Sequence, residues 1–227
     1  MNIRKTLLFV LLVLFLSGCA VNIQTTGFLD RSGGISALAK GASFAVIENP
    51  DAANPIFDKE IKRKIERLLV KEGYRIDAGD KSRYLLSYSY GIASGLRSTT
   101  VTSYGPPPQT QIITVTDGKG GVATQTIMTP GTASVIPVVS VEYTKQLMLK
   151  IREAARAAGD GRRENVVWMG ETLSMDPSSD LRSDIDYLLV AAFMYFGQDT
   201  GKQVSVSLDR GDAAVEALRR DFERPNH

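Results

Sequence analysis

The chain has 227 residues, with 27 basic and 25 acidic side chains and a single cysteine, Cys19. A charge balance this close to zero argues against the phosphate-neutralising surface that dominates nucleic-acid binding, and a lone cysteine excludes an internal disulfide. The one histidine, His227, is terminal, which excludes a Ser–His or Cys–His nucleophile pair and a histidine-built zinc site.

The first elements in chain order are those of a secretory signal. Arg4 and Lys5 precede an unbroken apolar run from Leu7 to Leu16, followed by the small residues Ser17 and Gly18, the n-region, h-region and processing pattern of an export signal. A membrane-spanning helix needs about 20 apolar residues, and this run ends after ten. Leu16-Ser17-Gly18-Cys19 resembles the bacterial lipobox, in which the cysteine sulfur receives a diacylglycerol, the peptide is cut before it, and the new amine is acylated. The resemblance implies removal of residues 1–18 and lipidation of Cys19. Because each buried methylene contributes about 0.8 kcal/mol, several acyl chains make a stable anchor where one would not. Ala20 stands after the cysteine, where an Asp commonly retains Gram-negative lipoproteins at the inner membrane, so the resemblance implies transfer to the outer membrane. The chain so processed has 227 − 18 = 209 residues and 27 − 2 = 25 basic against 25 acidic groups.

Residues 19–42, rich in Gly, Ser and Thr, read as the lipidated N-terminus and a flexible tether, with a single folded domain over 43–227. SFAVIE at 43–48 has the length of a strand. Asn54 and Pro55 then start a helix and Gly73 stops it, with Phe57, Ile61, Ile65, Leu68 and Leu69 on its apolar side. Its charged side pairs Asp58 with Lys62 and Glu60 with Lys64 at helical spacing, which predicts a solvated, salt-bridged face. In SRYLLSYSYG, Tyr84, Leu86, Tyr88 and Tyr90 alternate with smaller residues as in a half-buried strand. Tyr84, Tyr88 and Tyr90 are candidates for a binding surface that stacks on a sugar ring, against the plainer reading that they pack the sheet.

From about 94 to 137 the composition turns to Ser, Thr, Gly and Pro, which marks an insertion. Within it QIITVT and VATQTIM flank Asp117-Gly118-Lys119-Gly120-Gly121 and predict a β-hairpin. The phosphate-loop pattern is absent, so the glycines read as a turn. Pro106 to Pro108 read as a stiff spacer. Two strands follow, joined by a turn at Gly159 to Arg163. LMLKIREAARAA also fits a helix by propensity, but the alternation of Leu147, Leu149 and Ile151 favours a strand through Arg152.

Ser178, Ser179 and Asp180 cap a second helix over 181–196, apolar on every side from Tyr187 onward. Asp176, Asp180, Asp184 and Asp186 lack calcium-loop spacing and read as acids gathered at a helix N-terminus, so no metal is assigned. KQVSVSLD and GDAAVEALRRDFE close the chain as a strand and a short helix. This order predicts an α+β fold: a mainly antiparallel sheet packed by two or three helices, with a β-hairpin-containing insertion.

The stretch KEGYRI with Gly73-Tyr74, the following SRYLLSYSYG, and Trp168-Met169-Gly170 in VVWMGETLS are similar to the lipoprotein family known as domain of unknown function 4136. The resemblance spans about 43 to 205 and implies an envelope lipoprotein of α+β fold with no assigned catalytic residues or cofactor. The resulting expectation is an outer-membrane-anchored lipoprotein, facing the periplasm. It would act as a non-enzymatic binding or assembly module whose partners are the membrane, through Cys19, and an envelope protein or a second copy. The alternative is a periplasm-facing glycan- or lipid-binding protein or hydrolase, since the acids do not exclude a carboxylate pair although none is singled out.

Overall fold

A computed structural model describes residues 20–32, 38–50, 52–79, 81–105, 109–116, 122–129, 131, 133–154 and 165–223. The signal segment, Cys19, the triple proline and the turns expected at 117–121 and 159–163 lie outside the described residues. In order the elements are β1 (Ala20–Leu29), β2 (Ser43–Ile47), α1 (Pro55–Lys71), β3 (Arg75–Ile76), β4 (Tyr84–Tyr104), β5 (Gln109–Thr116), β6 (Val122–Thr129), β7 (Ala133–Glu153), β8 (Val166–Asp176), α2 (Leu181–Met194), β9 (Val204–Asp209) and α3 (Ala213–Glu223). They divide into two compact units: a body, 1–93 with 143–227, and the insertion, Ser94–Glu142.

The body holds a sheet of order β3-β2-β4-β7-β8-β1-β9. β2 runs parallel to β3 and β4, whereas β8 is antiparallel to both β7 and β1, and β9 to β1. This overturns the expected antiparallel sheet packed by helices: the described residues are mainly sheet, 51% strand against 24% helix, and the sheet is mixed. Two segments account for the difference. Ala20–Leu29, expected as a tether, is a strand paired on both sides, to Ser174–Trp168 of β8 and Asp209–Val204 of β9. The β-branched residues of the insertion carry β4 and β7 to 21 residues each.

β1 alternates as a half-buried strand does, with Ile23, Thr25, Gly27 and Leu29 turned inward. Across β8 these meet Ser174, Thr172, Gly170 and Trp168, and beyond them Lys145, Leu147, Leu149 and Ile151 of β7. The facing glycines have a physical reason. A Cβ on Gly170 would lie 2.2 Å from the Trp168 ring, and one on Gly27 would lie 2.5 Å from the Gln198 carbonyl oxygen. The indole therefore lies over bare backbone, and its N–H donates to that carbonyl at 2.9 Å.

Local signals set α1. Asn54 caps it by accepting from the amides of Ile56 and Phe57, Pro55 opens its first turn, and Gly73, at φ 86°, ends it. Its apolar residues Ile61, Ile65 and Leu69 are fully buried. The second helix, α2, ends at Met194 rather than Phe196; Asp180 caps it by accepting from Arg182 and Ser183 amides. As expected for a helix apolar all round, Tyr187 to Phe193 are buried.

The insertion contains the expected hairpin, β5 against β6 in antiparallel register from Gln109↔Thr129 to Thr116↔Val122. Within the unit Arg97 pairs with Glu142 at 2.7 Å and the Thr99 hydroxyl donates to the Val138 carbonyl at 3.4 Å.

Candidate functional site

The tyrosine stripe is not a surface. Tyr84 is 1% and Tyr88 5% exposed. Tyr84 lies tilted against Phe44, with 5.2 Å between ring centres, and Tyr90 meets Phe57 of α1 edge-on at 5.4 Å. The Tyr88 hydroxyl donates to Asp58 Oδ2 at 2.8 Å and to the Asp58 carbonyl at 3.0 Å. Burial first, and the neighbouring Asp58 second, push the Tyr88 phenol well above its ordinary range. At the candidate sugar platform Tyr84 and Tyr88 are thus buried and Tyr90 half-buried, with Tyr88 and Tyr90 packed against α1 and Tyr84 against Phe44 of β2.

The charged side of α1 is solvated only in part, with Lys59, Arg63 and Lys71 exposed. Asp58, Glu60 and Lys64 are buried. Glu60 and Lys64 pair at 2.7 Å as their spacing predicts, but Lys62 pairs with Glu48 at 2.9 Å instead of Asp58. Lys64 also reaches Asp186 of α2 at 2.7 Å, and Glu60 takes Arg182 at 3.0 Å. These charges cross-link two helices. A desolvated pair of this kind depends on having every partner in place, since loss of one leaves a buried charge uncompensated.

A second ionic group sits where β7, β8 and α2 converge. Lys145 points inward by the same alternation that buries Leu147 and Leu149, and its side chain is 0% exposed. Its ammonium donates to Asp176 at 2.8 Å and to Asp184. Asp176 also accepts from the Ser178 amide at 2.6 Å. Burial opposes ionisation of Asp176, but the hydrogen bonds from Lys145, Asp184 and Ser178 outweigh it and hold the carboxyl below its usual range. Asp184, more deeply set, is raised by burial and by the bond it shares with Asp176, despite Lys145. The four acids read as a helix-terminal cluster therefore have distinct tasks. Asp180 caps, Asp176 and Asp184 hold Lys145, and Asp186 takes Lys64 and Arg219. Among the described residues no group of three potential ligands could hold a metal ion.

This ionic group opens onto a cleft of about 590 Å³. Its lining includes Ala20 and Asn22 at the start of β1, Asp176 and Ser178 around the end of β8, and Tyr187, Arg210 and Arg219. Arg219 is fixed: it donates to Asp186 at 3.1 Å, to Glu216 at 3.1 Å and to the Ser183 carbonyl at 3.1 Å, with its guanidinium 5.1 Å from the Tyr187 ring centre. Arg210 lines the cleft from the turn after β9 and forms no ion pair among the described residues. Sequence reasoning missed this site because its walls come from segments at residues 20–22, 175–187, 210 and 219, which only the sheet brings together. The one usable signal was Lys145 at an inward strand position.

No protein-family model and no curated protein matches the chain. Among solved structures it is similar to a PDZ domain protein from Parabacteroides distasonis, at 14% identity and TM-score 0.42, over 90% of this chain and 46% of that one. It spans about half the length of that protein. It is also similar to two crystal forms of dodecameric PelC from Paraburkholderia phytofirmans, at 15% and 14% identity and TM-score 0.38 in both. These cover 79% of this chain and 98% or 99% of the other. Likenesses at this level assign neither a family nor an activity.

Proposed function

We propose that this chain is an outer-membrane lipoprotein, anchored through acylated Cys19 and facing the periplasm, that serves as a non-enzymatic assembly module of the cell envelope. The lipobox Leu16-Ser17-Gly18-Cys19 supports the address. The observation that carries the activity is the insertion. Its strands β5 and β6 form a two-stranded sheet with no third strand among the described residues. Such a ribbon is marginally stable by itself in water. Leu96 and Tyr104 are 78% and 81% exposed, with Ile112, Met128, Val135 and Val139 likewise open to solvent. Charge, which blunts most exposed strand edges, is sparse: 94–142 holds only Arg97, Asp117, Lys119 and Glu142. Open strand edges carrying apolar residues are the usual means by which one chain adds a strand to another.

The test is photo-crosslinking in intact envelopes from probes at Tyr104 and Val139, with co-purification of the adducts. A recurrent adduct, either with a second copy or with one envelope protein, is expected from these positions and not from a probe at Lys59 on α1. Monomer alone with no recurrent neighbour would sink the assembly reading. The anchor is checked apart from it: Cys19→Ser should release the protein from membranes or leave it unprocessed, and unchanged fractionation refutes lipidation. The glycan reading has less support, because two of its three tyrosines, Tyr84 and Tyr88, are buried.

A further inference from the structure

The cleft beside the ionic group of Lys145 lies at the start of β1. Ala20, one of its walls, is bonded directly to Cys19, and neighbouring Cα atoms are about 3.8 Å apart. If Cys19 carries the acyl chains, the cleft mouth stands at the level of the lipid head groups, with no tether to hold it off. This step rests on the anchor proposed above.

The chemistry of the walls selects among head groups. Arg210 offers a planar, always-charged donor set suited to a phosphate. Asp176, which lines the same cleft, is negatively charged and 32% exposed, with one oxygen bonded to Lys145 and the other to the Ser178 amide. The carboxylate has about four acceptor sites, and Lys145, Asp184 and the Ser178 amide take three, which leaves one to give. An anion alone would meet Asp176 unfavourably, and a cation alone would meet Arg210 and Arg219 unfavourably. A zwitterion with a phosphate at one end and a hydrogen-bonding ammonium at the other satisfies both walls. We propose that this cleft binds the phosphoethanolamine head group of a membrane phospholipid, its phosphate on Arg210 and its ammonium on Asp176. Lipid anchor and head-group site then act together on the same membrane face and fix the orientation of the body to the bilayer.

The experiment uses the full acylated chain in a detergent that contains no phosphate, titrated by calorimetry with dihexanoyl phosphatidylethanolamine below its micelle concentration. Dihexanoyl phosphatidylcholine keeps the phosphate but has no N–H to donate. Dihexanoyl phosphatidylglycerol lacks the ammonium, and free O-phosphoethanolamine lacks the lipid. Saturable binding of phosphatidylethanolamine is expected, with the choline and glycerol lipids weaker by about tenfold, the size of one lost charge-assisted hydrogen bond. Arg210→Ala should weaken the ethanolamine and glycerol lipids alike, whereas Asp176→Asn should weaken only the ethanolamine lipid. Arg210 is exposed and forms no ion pair among the described residues, so that variant decides the matter even where Asp176→Asn fails to fold. Equal affinity for all three lipids, or affinity unchanged by Arg210→Ala, overturns the proposal. Equal binding of free O-phosphoethanolamine overturns its membrane source. The mass of the purified chain separates the two readings. An unacylated chain that binds the lipid removes the anchor and keeps the cleft, and an acylated chain that does not bind removes the cleft and keeps the anchor.

Discussion

Replacing Lys145 by Met tests the central ionic group, because the substitution keeps the unbranched stem up to Cε and removes the ammonium with its hydrogen bonds to Asp176 and Asp184. Lys145 is fully buried and serves two carboxylates. Removing one partner of a buried charge pair costs about 3–5 kcal/mol. Asp176 is one-third exposed and regains water when released, which places the expected loss near ~3 kcal/mol. For a chain of this size that corresponds to a fall in Tm of about 6–12 °C. The pH dependence gives a sharper reading. In the native chain the carboxyl of Asp176 is held low, so its contribution is present above the ordinary carboxylate range and is lost as pH falls through its folded value. Asp184 is held high, so its contribution is present in acid and is lost as pH rises through its folded value. Without the ammonium both carboxyls rise, and the folded variant retains a proton that the unfolded chain releases. Its deficit against the native chain should therefore be small near about pH 4.5 and fully developed near about pH 7.5. Thermal melts of both chains by circular dichroism at the two pH values measure it. An equal deficit at both, or one larger in acid, refutes the argument that Lys145 exists to neutralise these carboxylates.

Gly170→Ala should cost about 1–3 kcal/mol by overpacking, since the added methyl group falls 2.2 Å from the Trp168 ring; unchanged emission from this single tryptophan would show that the indole does not lie over Gly170. Tyr88→Phe removes the hydroxyl that satisfies buried Asp58 and should cost about 1–3 kcal/mol in urea unfolding. In an alkaline ultraviolet titration of the native chain, Tyr88 should stay protonated past the ordinary tyrosine range near pH 10, and full ionisation there would contradict its burial against Asp58. Asn54→Ala removes the cap of α1 and should cost about 1 kcal/mol by the same unfolding assay; no measurable change would mean that water replaces the cap at no loss.

What was legible in the sequence was local. Asn54, Pro55 and Gly73 act within a few residues of themselves, and the start and end of α1 follow from them. The β5–β6 hairpin follows for the same reason. β1 was illegible because its inward positions are Ile23, Thr25 and Gly27 rather than a run of large apolar groups. Gly27 is small for the sake of Gln198 and Trp168, more than 140 residues away. The tyrosine alternation was plain, but which face of the sheet the helix would cover depends on Asp58, 30 residues before Tyr88. The cleft was the least legible feature, because the acids that hold Lys145 lie 31 and 39 residues beyond it. Their proximity is a product of strand order.

The placement of β1 between β8 and β9 has a mechanical consequence. Its partners in antiparallel register extend along both sides, Ile23 to Leu29 against β8 and Ala20 to Thr25 against β9, and such bonds lie perpendicular to the strand. A tug applied at Ala20 along the strand axis therefore loads both ladders in shear, all bonds together, rather than unzipping them one at a time. The end of the body next to Cys19 is the part of the sheet best built to bear tension.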